Sequence, residues 1–303
     1  MNWKNLIRPA YRWVHDVINQ TATVNPFIPN SFEGRPVKHG HISIEHLEEP
    51  AKDDLLEKQL LEKGIKVVPY EINVAAYRAY LSQTAYPDSY YGGGKDPQQN
   101  FTEKTLEHFV SLDFLQLTEE SVFIDTAACT SPFYQIVRKK YACTTYQQDL
   151  IFPKGLHADK IGGYASELIL PDQSVDGITL HCSLEHFEGR SDTEFFQELE
   201  RVLRPGGRAV ILPFYLAHTY TIHVDPAFNL IKGHSPKLDP WAELRYSGWY
   251  QHFSRHYDPQ ALGRRILAKA PSLNLTIYRV QNFKEVDLSC YLRWIGVFEK
   301  MAS

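Results

Sequence analysis

A chain of 303 residues, 43% of them hydrophobic and 22% charged, has ordinary globular composition and material for one large core or two small ones. Its net charge of −4 provides no broad basic field, which excludes a long nucleic acid held by its phosphates. Cys129, Cys143, Cys182 and Cys290 are scattered and form no CxxC pair, so neither a disulfide framework nor a thiolate zinc site is expected, and a reducing cytosol suits them.

The first stretch, MNWKNLIRPAYRWVHDVINQ, carries charges throughout and lacks the apolar run of about 7–15 residues of a signal peptide. No later run reaches the ~18 apolar residues of a membrane span. A cytoplasmic protein without a membrane span is expected. Residues 1–100 read as a helical and irregular N-terminal extension, expected to cap the site, in which Pro26, Pro29 and Pro36 punctuate a polar stretch. AKDDLLEKQLLEKG then places Leu55, Leu56, Leu60 and Leu61 on one helical face and stops at Gly64. EINVAAYRAYLSQ reads as a second helix, with Tyr77, Tyr80 and Leu81 close together. The DSYYGGGKD that follows is no phosphate loop, because Lys95 is followed by Asp96 rather than Ser or Thr. It reads as a glycine hinge, with Tyr90 and Tyr91 on a movable lid.

From residue 101 to 303 the pattern becomes regular. TEKTLEHFVSLDFL is an amphipathic helix whose apolar side is Leu106, Phe109, Val110 and 112–115, and SVFID follows as a short buried strand. A helix over 133–140, strands CTTYQ and DGITLH, the helix SDTEFFQELERVL and the strand RAVILPF come next. Pro205-Gly206-Gly207 closes that last helix. An aromatic and His-rich region occupies 215–257, followed by the helix PQALGRRILAKA and the strands LTIYRV and CYLRWIGVFEK. Strands alternating with helices predict an α/β fold with a doubly wound, mostly parallel sheet, and such sheets present ligands at the carboxyl ends of their strands.

The residues just after those strands carry a resemblance. FIDTAACTSPF, TTYQQDL, ASELILPDQSVDGITLH, HCSLEHFEG and, most specifically, ELERVLRPGG are similar to the motifs of the class I S-adenosylmethionine (SAM) dependent methyltransferases, in a subset with a glycine-poor first loop. The resemblance spans roughly residues 102–303. It implies a seven-stranded Rossmann-like sheet, SAM as cofactor and 215–257 as an insertion serving the acceptor. It also implies that Asp125, Thr126, Ala127, Ala128 and Ser131 approach the methionine and ribose, the small side chains standing in for the family's glycines. Asp149, with Leu150, falls where an acid accepts from the ribose hydroxyls. Tyr164 stands in place of the usual adenine-amine acceptor, which leaves Ala165 and Ser166 to offer backbone groups. In the segment that begins at His181, Glu185 and His186 are the candidates for handling the acceptor, with His186 as general base or helix cap.

Tyr220, Trp241, Tyr246, Trp249, Tyr250 and Phe253 are either a stacking surface for a planar or sugar-like group or the packed core of a cap. His218, His223, His234, His252 and His256 make no HxxxH or HExxH pair, so no metal is expected. The expected function is methyl transfer from SAM to a small-molecule or glycan-like acceptor. The alternative is a SAM-fold binding protein without turnover.

Overall fold

A computed structural model describes residues 17, 31–32, 35–36, 50–95, 100–246 and 250–302. Pro26, Pro29 and Trp249 lie outside the described residues. Two compact units make up the chain, one of residues 1–59, 185–190 and 216–262, the other of residues 60–184, 191–215 and 263–303. Among the described residues, no helix is long and apolar enough to cross a membrane.

The smaller unit contains a two-residue ribbon, β1 (Ser31–Phe32) against β2 (Arg35–Pro36). The larger unit is built on a nine-stranded sheet. In chain order its strands are β3 (Lys66–Tyr70), β4 (Val122–Thr126), β5 (Thr144–Asp149), β6 (Gly155–His157), β7 (Lys160–Gly162), β8 (Val175–His181), β9 (Leu203–Leu212), β13 (Leu273–Val280) and β14 (Trp294–Lys300). The smaller unit supplies the three that intervene, β10 (Thr221–Val224), β11 (Glu243–Tyr246) and β12 (Ser254–His256).

Seven central strands run in the order β7-β5-β4-β8-β9-β14-β13, parallel except for β14, which is antiparallel to both neighbours. Six of these seven are the strands located in the sequence, and β7 fills the place of the seventh that the resemblance implies. Two more extend its edges: β3 parallel to β13 and β6 antiparallel to β7. Neither announces itself in the sequence. KVVPY is five residues directly after a helix, and GLHADKIG is a hairpin of two three-residue strands held by a close approach at Gly162. A Cβ on Gly162 would lie 1.9 Å from the Pro153 carbonyl oxygen, so only glycine fits under that loop.

Eight helices of this description are labelled in chain order α1 (Pro50–Glu62), α2 (Val74–Gln83), α3 (Phe101–Phe114), α4 (Phe133–Tyr141), α5 (Ser191–Val202), α6 (Pro226–Lys232), α7 (Pro259–Arg265) and α8 (Phe283–Val286). Local chemistry explains several of their ends. Asn73 caps α2 by accepting from the Ala76 N–H at 2.9 Å. The carboxyl end of α4 carries Arg138, Lys139 and Lys140, which suit its negative pole, and closes on left-handed Ala142. The helix expected over 259–270 stops at Arg265 and continues only as a single turn at Leu267–Lys269. After α5 the chain enters β9 at Leu203 with no connecting loop, so the proline and glycines that end the helix lie inside the strand span.

The central strands are buried on both faces. Phe123, Ile124, Asp125 and Thr126 of β4, and Ile178, Thr179 and Leu180 of β8, are each 0% exposed. Leu106 and Val110 of α3, Phe133 and Val137 of α4, and Ile295 and Val297 of β14 join one core cluster.

In the smaller unit β10 pairs parallel with β11 and antiparallel with β12 around Ile222, Val224, Leu244 and Phe253. Asp225 caps α6 through the Phe228 N–H at 3.0 Å and also accepts from the Tyr250 N–H at 2.9 Å. Of the aromatics expected to offer a stacking surface, Tyr220 and Phe253 are buried, whereas Trp241 and Tyr250 are exposed. Among the described side chains, the region thus holds a small core of its own together with the accessible rings of Trp241 and Tyr250.

Candidate cofactor site

The carboxyl end of β4 runs into a loop without glycine, and its backbone shows how that is done. Ala127 and Cys129 both adopt left-handed conformations, with φ of 49° and 48°. Each such L residue costs about 1–2 kcal/mol, so the loop needs outside support. The end of β5 provides it. Gln148 accepts from the Ala127 N–H through Oε1 (3.1 Å) and from the Ala128 N–H through its carbonyl (3.1 Å). Asp149 Oδ2 accepts from the Cys129 N–H at 2.6 Å. Gln147 donates to the carbonyls of Cys129 and Ser131 at 3.0 and 2.9 Å. Ser131 Oγ then accepts from the Phe133 N–H at 3.2 Å, where α4 begins.

Relief of the strain against the backbone entropy of glycine gives an expected result. Ala127→Gly should leave the protein equally stable or raise its unfolding free energy by up to about 1 kcal/mol. Urea denaturation measures it, and a clear loss of stability would mean that the Ala127 methyl group packs more than the backbone strains.

This loop lines a cavity of about 390 Å³ within the larger unit. Residues 127–131 form one wall, His181 at the end of β8 with Cys182 and Ser183 after it a second, and Ser89, Tyr90, Tyr91 and Lys104 the rest. Tyr91, Gly92, Gly93 and Gly94 are consecutive left-handed residues. The triple glycine therefore makes the tight turn that sets two tyrosine rings on the cavity, and it holds no phosphate motif.

A polar stripe on α3 reaches the cavity through Lys104 and bonds to residues that line it through His108 and Ser111. Lys104, Glu107, His108 and Ser111 fall at i, i+3, i+4 and i+7, on one face of the helix, and all four are buried. Lys104 Nζ donates to Glu107 Oε1 at 2.8 Å and to the sulfur of Cys182. Burial pulls the ammonium's pKa down, but the interactions with Cys182 and Glu107 outweigh it and hold the pKa well above the ordinary lysine value. His108 is driven well below its ordinary value by burial and then by His181 and Lys104, so its ring is neutral. The Tyr86 and Tyr90 hydroxyls meet its Nδ1 and Nε2 at 3.0 and 3.1 Å. Burial, followed by Glu107, raises the Glu103 carboxyl to about 8. His181 Nε2 meets Ser111 Oγ at 2.9 Å, and its Nδ1 lies 3.3 Å from Asp125 Oδ1. Asp125 Oδ1 also accepts from Thr179 at 3.0 Å, while its Oδ2 and the Thr126 hydroxyl have no partner among the described residues. Buried polar atoms left unpaired at a strand end bordering a cavity are suited to a ligand.

Of the residues singled out by sequence, Ala127, Ala128, Ser131 and His181 line the cavity. Asp125 and Thr126 are fully buried at the end of β4. Asp149 is half-buried beside the loop, and its second oxygen accepts from the Ile151 N–H at 3.0 Å. Leu150 is 62% exposed, Ala165 is buried and Ser166 half-buried, and none of the three is among the residues lining this cavity. Glu185 and His186 belong to the smaller unit. His186 donates from Nδ1 to the Phe253 carbonyl at 2.6 Å, and its Nε2 lies 3.5 Å from Glu185 Oε1. Sequence reasoning overlooked Lys104, Glu107 and His108. The signal was a K-x-x-E-H-x-x-S stripe on a helix already credited with an apolar side. Among the described residues, no group of His, Cys, Asp and Glu is placed to hold a metal ion.

Comparison with known proteins adds a family match. Residues 126–211, from the end of β4 through β9, match the model of a family described as a methyltransferase domain. No curated protein sequence matches the chain. Among solved structures it is similar to a methyltransferase described as from an antibiotic biosynthesis pathway of Anabaena variabilis (26% identity, 37% of this chain and 47% of that one, TM-score 0.30). The chain thus spans about half the length of that relative. It is also similar to the 1,6-didemethyltoxoflavin-N1-methyltransferase of Burkholderia thailandensis, solved with S-adenosylhomocysteine (15% identity, 78% and 93% covered, TM-score 0.46). A third is the geranyl diphosphate C-methyltransferase of Streptomyces coelicolor (11% identity, 75% and 98% covered, TM-score 0.40). With TM-scores below 0.5, these likenesses carry no weight beside the family match and the sheet.

Proposed function

We propose that this chain, a class I SAM-dependent methyltransferase, transfers the methyl group of SAM to a small-molecule or glycan-like acceptor. The observation that carries this reading is the first loop: inside the family-matched segment, two left-handed non-glycine residues are held open by β5 beside a cavity. The residues fit the cofactor. Ala127 and Ala128 allow a close backbone approach, Thr130 and Ser131 bring hydroxyls, and the unpartnered Asp125 Oδ2 and Thr126 Oγ1 lie at the strand end beneath. SAM, when bound, supplies an electrophilic methyl on a sulfonium. The chain's part is to bind it, align the acceptor, exclude water and take up any proton the acceptor releases.

Asp149 is the proposed partner of the ribose hydroxyls. Both of its oxygens already accept a backbone N–H, yet each keeps a second lone pair. Asp149→Ala should weaken binding of S-adenosylhomocysteine (SAH) by about 1–3 kcal/mol. Part of that loss is expected to come from slackening of the Cys129 turn. Calorimetric titration of the wild type and the variant measures it. An absence of saturable SAH binding to the wild type at millimolar ligand would sink the cofactor reading itself. Leu150, Ala165 and Ser166 remain the proposed surroundings of the adenosine. Glu185 and His186 are proposed to manage the acceptor's proton.

A further inference from the structure

We propose that Cys182 and Cys129 are a peroxide-sensitive pair: a hydroperoxide oxidises Cys182, Cys129 closes the product into a disulfide, and the bond shuts the cavity to its ligand. The last of these steps rests on the reading that the cavity takes SAM.

The two thiols line one cavity from different walls, Cys129 exposed and Cys182 half-buried. None of the four cysteines is in a disulfide. Cys143 and Cys290 are buried and are not among the residues lining the cavity, and burial pushes both of their thiols up, away from reactivity. Position brings the other two together. β4 and β8 are parallel neighbours with Thr126 opposite Leu180, so Ala128 and Cys182, each two residues on, leave the sheet in step. Ser183 Oγ then donates to the Ala127 carbonyl at 3.0 Å and keeps the two turns adjacent. Cys129 is the residue after Ala128. Neighbouring strands lie about 4.8 Å apart, and a disulfide spans about 4.4–6.8 Å between Cα atoms. Both cysteines have left-handed backbones, with φ of 48° at Cys129 and 46° at Cys182. Strain kept at a position that glycine would relieve points to a use for the side chain.

The pair is chemically unequal. The Cys182 S–H donates to Glu107 Oε1 at 3.2 Å, and its sulfur accepts from Lys104 Nζ. A nucleophile thus has a base for its proton and a cation for the charge it acquires. Glu107 is 0% exposed with Oε2 unpartnered among the described residues, so the proton has a place to go. A cysteine serving as a small hydrophobe would meet carbon instead of these groups. In the first step the proton passes to Glu107 and the sulfur attacks one oxygen of the peroxide. An S–O bond forms, the O–O bond breaks, and the departing hydroxide takes the proton from Glu107 as water, leaving a sulfenic acid. In the second, Cys129 sulfur attacks Cys182 sulfur, the S–O bond breaks, and hydroxide leaves as water with the Cys129 proton. Two thiols lose two electrons and one peroxide becomes two waters.

Peptide mass spectrometry of the full chain, treated with hydrogen peroxide and then with iodoacetamide in denaturant, reads the chemistry. Calorimetric titration of SAH before and after treatment reads its effect. The wild type should yield a linked peptide pair joining Cys129 to Cys182, with Cys143 and Cys290 alkylated as thiols. SAH affinity should fall by at least about tenfold, because a covalent bar takes up part of the ligand's space, and should return with dithiothreitol. Cys129→Ser should stop at the Cys182 sulfenic acid, which dimedone captures, and Cys182→Ser should form no link. Four intact thiols after treatment, or a link that omits Cys182, would overturn the proposal. A wild-type sulfenic acid that never passes to Cys129 would overturn it as well, and so would a completed link with unchanged SAH affinity. Failure of the reduced wild type to bind SAH strikes the cofactor reading, while the mass spectrum still decides whether the disulfide forms.

Discussion

Replacing His186 with alanine should lower the rate of methyl transfer by about 10²–10⁴-fold, the usual loss on removing a general base, and leave SAH affinity unchanged. The expectation rests on the ring's hydrogen bonds. With the Nδ1 proton committed to the Phe253 carbonyl at 2.6 Å, the neutral ring keeps its lone pair at Nε2. The buried Glu185 carboxylate lies 3.5 Å from that nitrogen and stabilises the imidazolium once a proton has been accepted. Glu185→Gln should therefore slow turnover by a smaller factor, since the base remains and only its stabilising charge is lost. Transfer of labelled methyl from SAM into a fractionated small-molecule extract measures the rate before the acceptor is known. If His186→Ala turns over normally, the acceptor needs no base from this pair. If it loses SAH affinity as well, the pair supports the cofactor site and the proposed role is wrong.

The second large effect is on stability. Asp192, in the first turn of α5 and 0% exposed, accepts two bonds from Arg265, at 2.6 Å from one terminal nitrogen and 2.8 Å from Nε. The Arg265 side chain is itself only 12% exposed, so little water screens the pair. The carboxylate also sits at the positive pole of its helix. Removing one partner takes two hydrogen bonds and the compensating charge away from the other. Asp192→Ala and Arg265→Met should each cost about 3–5 kcal/mol, whereas an apolar double replacement should recover much of it. Urea denaturation of the three variants decides this. A single variant with an unchanged midpoint and slope would show that solvent reaches the pair.

The sheet was legible where burial on both faces turns a strand into an apolar run, as in SVFID, DGITLH and RAVILPF, whereas P-G-G, read as the end of the helix, lies inside β9. It was illegible where strands are short or lie at the edge, as in β3, β6 and β7. In the site, the small residues at 127 and 128 were readable as letters, but the left-handed backbone at 127 and 129 was not. That backbone depends on hydrogen bonds from β5, which the sequence of the loop does not contain. The charged residues of α3 misled for a related reason. Helical periodicity shows that Lys104, Glu107 and His108 share a face opposite Leu106 and Val110, and a charged face ordinarily meets water. The arrival of His181 and Cys182 at the end of β8, together with Tyr86 and Tyr90 on the His108 ring, turns that face into an interior one. The aromatic region divided, with Tyr220 and Phe253 in a core and Trp241 and Tyr250 exposed.

The chain passes from one unit to the other at five junctions: 59/60, 184/185, 190/191, 215/216 and 262/263. No single cut therefore releases either unit as a continuous polypeptide. A deletion that keeps residues 101–303 would remove an edge strand of the large sheet along with the tyrosines of the cavity wall. A deletion of 216–262 would leave the six residues 185–190 without the Phe253 carbonyl that accepts from His186 and the His234 ring that meets Glu188 at 2.7 Å. Dissection of this protein is best done by point substitution, and a library of truncations would mostly report misfolding.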